Sequence, residues 1–296
     1  MLRDVAAAAR PRQWSKNLVC FAALVFADRL NNPAAVLQAT LGFLSFCFAS
    51  SAVYVYNDIH DRNQDRAHPI KRRRPIAAGR LSVRSALVEA TILVMASAAL
   101  SCTLRLRFRG VLAIYLVTSF LYSLILKRLV IVDVMTIAIG FVLRVQSGIE
   151  AISAPQSAWV LLCMFFMALF LGFGKRRGEI TGLHGADGRT QRLVLLAYSI
   201  PYLNILLGLS ATTAIVCYSL YAVTVQANET FLLTILPVSF GIARYLLLII
   251  VRTKGEDPDE MLTRDVPLIL AVLIWALLCV IILYFGVHLF PHSRAL

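Results

Sequence analysis

Charged side chains are scarce in this chain of 296 residues, because only 15% of its residues are Asp, Glu, Lys or Arg. Soluble domains have roughly 25% charged residues, whereas 59% of this chain is hydrophobic. The small amount of polar surface excludes an ordinary water-soluble globule, since it cannot cover the outside of one. The composition therefore predicts an integral membrane protein with several spanning helices.

Cysteine pairs with metal-binding or redox spacing are also lacking. Without a C-x-x-C pair, neither a disulfide framework nor a zinc site is supported. The six cysteines stand singly inside apolar stretches, at Cys20, Cys47, Cys102, Cys163, Cys217 and Cys279. We interpret them as small buried apolar residues. The sequence also has no Ser-His-Asp or Cys-His constellation that would indicate nucleophilic catalysis by a side chain.

Acidic residues are the rarer charge, with 16 Asp and Glu against 29 Lys and Arg and a net charge of +13. In a soluble protein this excess would suggest a nucleic-acid partner. The cytoplasmic loops of membrane proteins are rich in Lys and Arg, however, so we expect no nucleic acid here. Phosphorylated substrates and the anionic headgroups of the lipid bilayer are the expected partners.

Nine apolar segments are candidates for spanning helices, since a span needs about 20 residues. They cover approximately residues 17–29, 34–56, 84–104, 111–126, 130–149, 157–174, 193–224, 230–251 and 266–290. Most Lys and Arg fall between spans on the side of the N-terminus, which places that side in the cytoplasm. We predict an all-α, nine-helix bundle in the cytoplasmic (inner) membrane. It forms one domain over residues 1–296, with a polar cavity that faces the cytoplasm.

An acidic motif closes the second predicted span, where Asn57, Asp58, Asp61 and Asp65 follow the pattern N-D-x-x-D-x-x-x-D. These spacings put the carboxylates on one helical face, where they repel each other unless a cation lies between them. Mg²⁺ prefers oxygen ligands and bridges carboxylates to substrate phosphates, and the basic run 71–74 supplies charge for phosphate. We predict that the four residues bind Mg²⁺ and a diphosphate. The alternative is a solvated, charge-balanced loop.

The letters NDIHDRNQD followed by HPIKRRRPIAAG resemble the first signature of the UbiA superfamily of intramembrane prenyltransferases, whose members have nine transmembrane helices. Four more segments are similar to one branch, the decaprenyl-phosphate phosphoribosyltransferases: RPRQWSKN at 10–17, YSLILKRLVIVDVMTIAIGFVLR at 122–144, LGFGKRRGEI at 171–180 and GEDPDEMLTRDVPL at 255–268. The resemblance implies transfer of 5-phosphoribose from 5-phosphoribosyl-1-diphosphate to a polyprenyl (decaprenyl) phosphate. Diphosphate is released, and the product leads towards the lipid-linked arabinose donor of cell-wall arabinan.

The chain departs from the wider superfamily after the sixth predicted span, where members usually carry a second Asp-rich motif. Here the segment reads KRRGE, and only Glu179 and the more distant Asp187 are acidic. Extra cations suit phosphoribosyl transfer, because the donor carries a 5-phosphate and the lipid acceptor another phosphate. Two alternatives stay open: a prenyltransferase that moves a polyprenyl group from its diphosphate to an aromatic or other small acceptor, and an anion transporter.

The motif, the resemblance and single charges together indicate the remaining site residues. Asp58, Asp61 and Lys127 are the predicted catalytic residues. An arginine inside the membrane is costly and usually marks a polar cavity, so Arg144 is predicted to face substrate, with an internal ion pair as the alternative. The predicted substrate-binding residues are Lys16, Arg72, Arg74, Tyr122, Lys127, Arg144, Lys175, Arg176 and Glu179. A homo-oligomer is compatible with the sequence.

Overall fold

The structure is a computed structural model that describes residues 2–182, 193–226, 228–251 and 264–289. The regular secondary structure of this part is entirely helical, which confirms the all-α class. Seven of the helices are long and apolar enough to cross a bilayer, and the chain is a multi-pass membrane protein. It divides into two compact units, Met1–Pro155 and Gln156–Leu296. That one domain covers residues 1–296 stays a prediction.

The helices of the first unit surround one long central helix, α3. Three 3₁₀ segments, Pro11–Phe21, Lys71–Arg73 and Leu126–Arg128, connect or extend them. The α-helices are α1 (Leu2–Ala9), α2 (Ala22–Phe26), α3 (Pro33–His60), α4 (Arg62–Ala67), α5 (Val83–Cys102), α6 (Leu106–Leu124) and α7 (Val132–Ile152).

In its described residues, the second unit has four longer helices and two 3₁₀ segments, Leu193–Ala197 and Glu229–Thr234. The α-helices are α8 (Ala158–Gly182), α9 (Ile200–Thr224), α10 (Ile235–Ile250) and α11 (Val266–Phe285).

Helix α3 begins and ends at polar residues that form hydrogen bonds with backbone groups of its terminal turns. The side chain of Asn32 accepts hydrogen bonds from the amides of Ala34 and Ala35, at 3.0 and 3.1 Å, so the first turn has a cap. At the other end the amide of Asp61 donates to the carbonyl of Asn57 at 2.9 Å. The chain then turns at once into α4, and the acidic motif therefore lies where two helices meet.

Small residues allow close packing in the apolar part of the first unit. Ser45 Oγ on α3 donates to the Ser97 carbonyl on α5 at 3.0 Å, and Ser97 Oγ donates to the Ser45 carbonyl at 2.8 Å. A Cβ added at Gly148 of α7 would lie 1.9 Å from the Cys20 carbonyl oxygen. Only glycine therefore lets the 3₁₀ segment Pro11–Phe21 approach α7 so closely.

Two of the nine predicted spans are absent from the seven apolar helices found within the described residues. Residues 17–29 form the end of a 3₁₀ segment and the short helix α2, too little regular helix to cross a bilayer. Residues 111–124 belong to α6, whose first turn contains Arg107 and Arg109, so its apolar stretch is shorter. The count of nine and the cytoplasmic polar cavity stay predictions.

Candidate active site

The acidic motif is placed at the junction of α3 and α4 with most of its charge out of solvent. Asp58, in the last turn of α3, is 2% exposed, and Asp65 in α4 is 4% exposed. Asp61 lies between the two helices and is both the C-cap residue of α3 and the N-cap residue of α4. The three carboxylates of the predicted motif therefore lie where α3 ends and the short helix α4 begins.

Two cations predicted to bind substrate lie directly on these acidic side chains. Arg74 Nη1 donates to Asp58 Oδ1 at 2.9 Å and to Asp65 Oδ2 at 2.6 Å. Lys127 Nζ donates to Asp61 Oδ1 at 2.6 Å and to the side-chain oxygen of Asn57 at 3.2 Å. We call Asn57, Asp58, Asp61 and Asp65 the acidic cluster. The structure thus brings all four predicted metal ligands together with Arg74 and Lys127.

A third cation on the acidic cluster, Arg10, was missed by sequence reasoning. Its Nη2 atom lies 2.5 Å from Asp58 Oδ1, the same oxygen that accepts from Arg74. The guanidinium also stands over the ring of Tyr54, 5.2 Å from its centroid, in a cation–π contact. The only sequence signal for Arg10 is that it opens the segment RPRQWSKN, in which Lys16 is the predicted substrate contact.

Helix α1 is held against the same unit by polar and apolar contacts. Arg80 Nε donates to Asp4 Oδ1 at 2.8 Å, and this hydrogen bond lowers the pKa of the Asp4 carboxyl from its ordinary value. Ala8 is fully buried with Val55 and Ile76, and Val5 packs against that apolar group. The end of α1 is therefore held close to the end of α3.

Arg144 is buried inside the first unit and has three neutral hydrogen-bond acceptors. Its Nε donates to Asn17 Oδ1 at 2.7 Å, its Nη1 to the Gly140 carbonyl at 2.8 Å and its Nη2 to the hydroxyl of Tyr115 at 2.8 Å. Asn17 in turn donates to Ser50 Oγ at 3.2 Å. This network joins the first 3₁₀ segment to α3, α6 and α7, and contact of Arg144 with substrate stays a prediction.

The other predicted residues of the first unit lie at various depths. Lys16 is half-buried in the 3₁₀ segment Pro11–Phe21, Tyr122 is half-buried near the end of α6, and Arg72 is exposed. Within the described residues, no side-chain hydrogen bond joins Arg72 or Tyr122 to the acidic cluster. Their contacts with substrate stay predictions.

The connection that carries Lys127 contains a strained residue. Ile131, directly before α7, has φ +68° and ψ −46°, a backbone conformation that β-branched residues rarely adopt. Strain of this kind clusters at functional sites, where the surrounding structure maintains it. The observation agrees with a functional role for the segment between α6 and α7.

In the second unit, the predicted cations lie in the last turns of α8. Arg176 is 3% exposed, and its Nη1 donates to Glu179 Oε2 at 2.7 Å. Arg177 donates from Nε to the side-chain oxygen of Asn204 at 2.8 Å and from Nη1 to the Ile249 carbonyl. Lys175 is half-buried. We call Lys175, Arg176, Arg177 and Glu179 the basic helix end.

Two motifs noted in the sequence fall partly or wholly outside the described residues. Asp187 lies outside them, as do residues 255–263 of the segment 255–268. In the described part of that segment, Asp265 caps α11 by accepting from the Leu268 amide at 3.1 Å. Its other oxygen lies 2.9 Å from Nη2 of Arg244, so this intramembrane arginine has an internal ion pair.

The oxygen donors of the acidic cluster fit Mg²⁺ that arrives with a phosphate ligand. Across the described ranges, no group of three or more His, Cys, Asp or Glu is arranged to hold a metal by itself. Mg²⁺ does not need such a cage, because it commonly takes one or two carboxylates, several waters and substrate phosphates. Asp58 and Asp61 offer those carboxylates beside cations that suit phosphate.

Comparison with known proteins identifies the family. Residues 17–261 match the UbiA prenyltransferase family. The chain belongs to the UbiA prenyltransferase family. The decaprenyl-phosphate phosphoribosyltransferase of Mycolicibacterium smegmatis is 35% identical over 283 residues, which are 90% of this chain and 88% of the relative. The enzyme of the same name from Corynebacterium glutamicum is 32% identical over 286 residues, covering 94% and 86%. The resemblance read from the motifs is confirmed.

Solved structures agree on the UbiA fold. A UbiA homolog from Archaeoglobus fulgidus bound to GPP and Mg²⁺ has a TM-score of 0.74 at 19% identity, covering 93% of this chain and 96% of that one. The apo structure of a UbiA homolog from Aeropyrum pernix has a TM-score of 0.65 at 13% identity, covering 93% and 98%. At these identities the likeness shows the fold alone.

Proposed function

We propose that this UbiA family member transfers 5-phosphoribose from 5-phosphoribosyl-1-diphosphate to a polyprenyl phosphate such as decaprenyl phosphate. The observation that carries the proposal is the similarity, at 35% identity over 90% of the chain, to a relative named decaprenyl-phosphate phosphoribosyltransferase. The side chains of the acidic cluster and its resident cations supply groups that suit this chemistry. The product leads towards the lipid-linked arabinose donor of cell-wall arabinan.

The reaction breaks the bond between the anomeric carbon of the ribose and the donor diphosphate. Asp58 and Asp61, with Asn57 and Asp65, would hold Mg²⁺, which when bound neutralises charge on the leaving diphosphate. Lys127 and Arg74 would donate to phosphate oxygens, because charge-assisted hydrogen bonds to a developing anion lower the barrier. These residues are already gathered close together, and binding exchanges the contacts of the cations with carboxylates for contacts with phosphate.

The nucleophile is an oxygen of the lipid phosphate, which forms the new bond to the anomeric carbon. This phosphate is anionic near neutral pH, so no side chain has to remove a proton from it. The proposal therefore needs no catalytic His or Cys, and it agrees with the lack of such a constellation in the sequence. Positioning of donor and acceptor supplies much of the rate.

The basic helix end supplies cations suited to a further phosphate. Arg176 and Lys175 are proposed to bind either the 5-phosphate of the ribose or the phosphate of the lipid. Glu179 remains a proposed substrate contact and accepts a hydrogen bond from Arg176. Arg177 is already committed to Asn204 and the Ile249 carbonyl, so we assign it no substrate. In the first unit, Lys16, Arg72, Tyr122 and Arg144 remain proposed substrate contacts.

The proposed orientation places the N-terminus and the active site on the cytoplasmic side of the inner membrane. The Lys and Arg of the connections 57–84 and 127–128 support it, since such residues stay on the cytoplasmic side. The water-soluble donor would then enter from the cytoplasm, while the apolar tail of the acceptor remains in the bilayer.

The test is transfer of label by the purified protein. Phosphoribosyl diphosphate labelled in the ribose is incubated with Mg²⁺ and decaprenyl phosphate, and the label is followed into the lipid fraction. We expect a labelled lipid that requires both Mg²⁺ and the acceptor. No labelled lipid, together with transfer of a prenyl group from its diphosphate to an aromatic acceptor, would establish the prenyltransferase instead. Uptake of intact donor into proteoliposomes without a lipid product would establish a transporter.

A further inference from the structure

Arg10 and Arg74 donate hydrogen bonds to the same carboxylate oxygen of Asp58. Asp58 Oδ1 accepts from Arg10 Nη2 at 2.5 Å and from Arg74 Nη1 at 2.9 Å. Arg10 is 25% exposed in its side chain, and among the described residues its remaining guanidinium nitrogens have no protein acceptor. A guanidinium has five N–H donors in a planar fork that matches phosphate. Arg10 therefore keeps donors available for a second partner.

The backbone of Arg10 is held in a disfavoured conformation. Its φ of 52° and ψ of 58° lie in the left-handed region, which residues other than glycine seldom adopt. Its successor is Pro11, and a residue before proline is normally extended. Such strain persists only where neighbouring contacts maintain it. Here those contacts are the Asp4–Arg80 ion pair and the buried Ala8 of α1.

Charge in the acidic cluster is balanced within the protein. Asp58, Asp61 and Asp65 are matched by Arg10, Arg74 and Lys127, each cation lying within 2.9 Å of a carboxylate oxygen. A divalent cation that entered alone would meet three positive side chains at short range, where like charges repel strongly. If it enters with a diphosphate, those side chains gain an anion to bind. The arrangement favours joint entry of metal and diphosphate.

From these observations we propose that Arg10 is a further diphosphate-binding residue, which leaves Asp58 for the donor diphosphate when Mg²⁺ and donor bind together. The inference rests on the proposed function for the identity of the donor, but inorganic diphosphate tests it without that assumption. Arg10 thus competes with metal when no diphosphate is present and binds diphosphate when it is. Removing the positive charge of Arg10 should therefore strengthen the binding of metal alone and weaken the binding of diphosphate with metal.

The experiment compares Arg10→Gln with Arg12→Gln, which removes the same charge from an exposed position two residues later. Binding of Mn²⁺ alone is measured by its electron paramagnetic resonance signal, and binding of inorganic diphosphate with Mg²⁺ by calorimetry. For Arg10→Gln we expect Mn²⁺ alone to bind about tenfold more tightly, and diphosphate with Mg²⁺ roughly tenfold to a hundredfold more weakly. Arg12→Gln should change both affinities less than about threefold.

Arg10→Lys keeps the charge without the planar fork and is the second variant, with thermal unfolding measured for each protein. We expect its diphosphate affinity to fall between those of the wild type and Arg10→Gln. Unchanged affinities in Arg10→Gln, or weaker binding of both Mn²⁺ and diphosphate, would overturn the proposal. If the wild type binds inorganic diphosphate but not phosphoribosyl diphosphate, the proposed donor fails while the role of Arg10 is still decided by the affinities for inorganic diphosphate.

Discussion

The acidic cluster and the basic helix end are two charged regions of one chain that differ in how their charges are balanced. In the acidic cluster, each of the three carboxylates has a cation on it, as at Asp61 with Lys127. In the basic helix end, Glu179 is the one carboxylate beside three cations. Arg176 donates to it, whereas Arg177 donates to the side-chain oxygen of Asn204 and to the Ile249 carbonyl. The first region has ligands for a metal, and the second has charge only for an anion.

This difference suggests a division of labour between the two units. Carboxylates are costly near a bilayer, and the first unit keeps several of them only by pairing each with a cation. At residues 175–179 the second unit reads KRRGE, where members of the wider superfamily usually carry a second Asp-rich motif. A substrate with several phosphates suits this combination better than a prenyl diphosphate and a neutral ring do.

The largest effect is expected from loss of charge in the acidic cluster. Asp58→Asn or Asp61→Asn should reduce transfer of labelled phosphoribose at least roughly a hundredfold, because Mg²⁺ and its neutralising charge are lost. Asp28→Asn, at an exposed loop position, is the matched control and should keep full activity. Full activity in either cluster variant, at equal amounts of folded protein in the membrane, contradicts the metal assignment.

A smaller loss of activity is expected in the basic helix end. Lys175→Ala should raise KM for phosphoribosyl diphosphate about tenfold with little change in kcat, since one charge-assisted contact to phosphate is removed. Lys175→Arg keeps the charge and should recover most of the affinity. Donor kinetics like those of the wild type in Lys175→Ala would remove this residue from the site.

Arg177, two residues after Lys175, should affect the stability of the protein rather than the binding of substrate. Arg177→Met leaves the Ile249 carbonyl and the Asn204 side chain without their donor, at a cost of about 1–3 kcal/mol. We expect a lower midpoint of thermal unfolding in detergent and an unchanged KM for the donor. A raised KM with an unchanged midpoint would show that Arg177 also binds phosphate.

The smallest effect is expected from the one acid of the basic helix end. Its ion pair with Arg176 is partly exposed, with 29% of the Glu179 side chain accessible, and such pairs contribute little. Glu179→Gln should therefore change transfer less than about fivefold. A loss as large as that of Asp61→Asn would mean that Glu179 binds a metal, and the contrast between the two regions would disappear.

Local spacing predicted most of the acidic cluster, because three- and four-residue intervals at a helix end determine which side chains share a face. Arg10 could not be found in this way. Its place on Asp58 depends on how α1 packs through Ala8 and on an unusual backbone conformation before Pro11, and neither has a periodic signal. The role of Arg144 likewise depends on acceptors far away in sequence, Asn17 and Tyr115.

Helix class was predictable from composition, whereas the count of nine spans stays a prediction. Apolar content identifies a segment as buried in lipid or protein, but it does not distinguish α-helix from the 3₁₀ segment Pro11–Phe21. That segment packs against α7 only because Gly148 has no side chain in the way. Such close approaches arise from tertiary packing and leave no periodic pattern in the sequence.

The central claim is that carboxylates at the end of α3 hold the donor diphosphate through a divalent cation. The most direct measurement is a structure of the protein with Mg²⁺ and phosphoribosyl diphosphate bound. We predict one metal ion in contact with Asp58 and Asp61 and with oxygens of the diphosphate. A diphosphate bound away from both carboxylates, with no metal on either, would contradict the account.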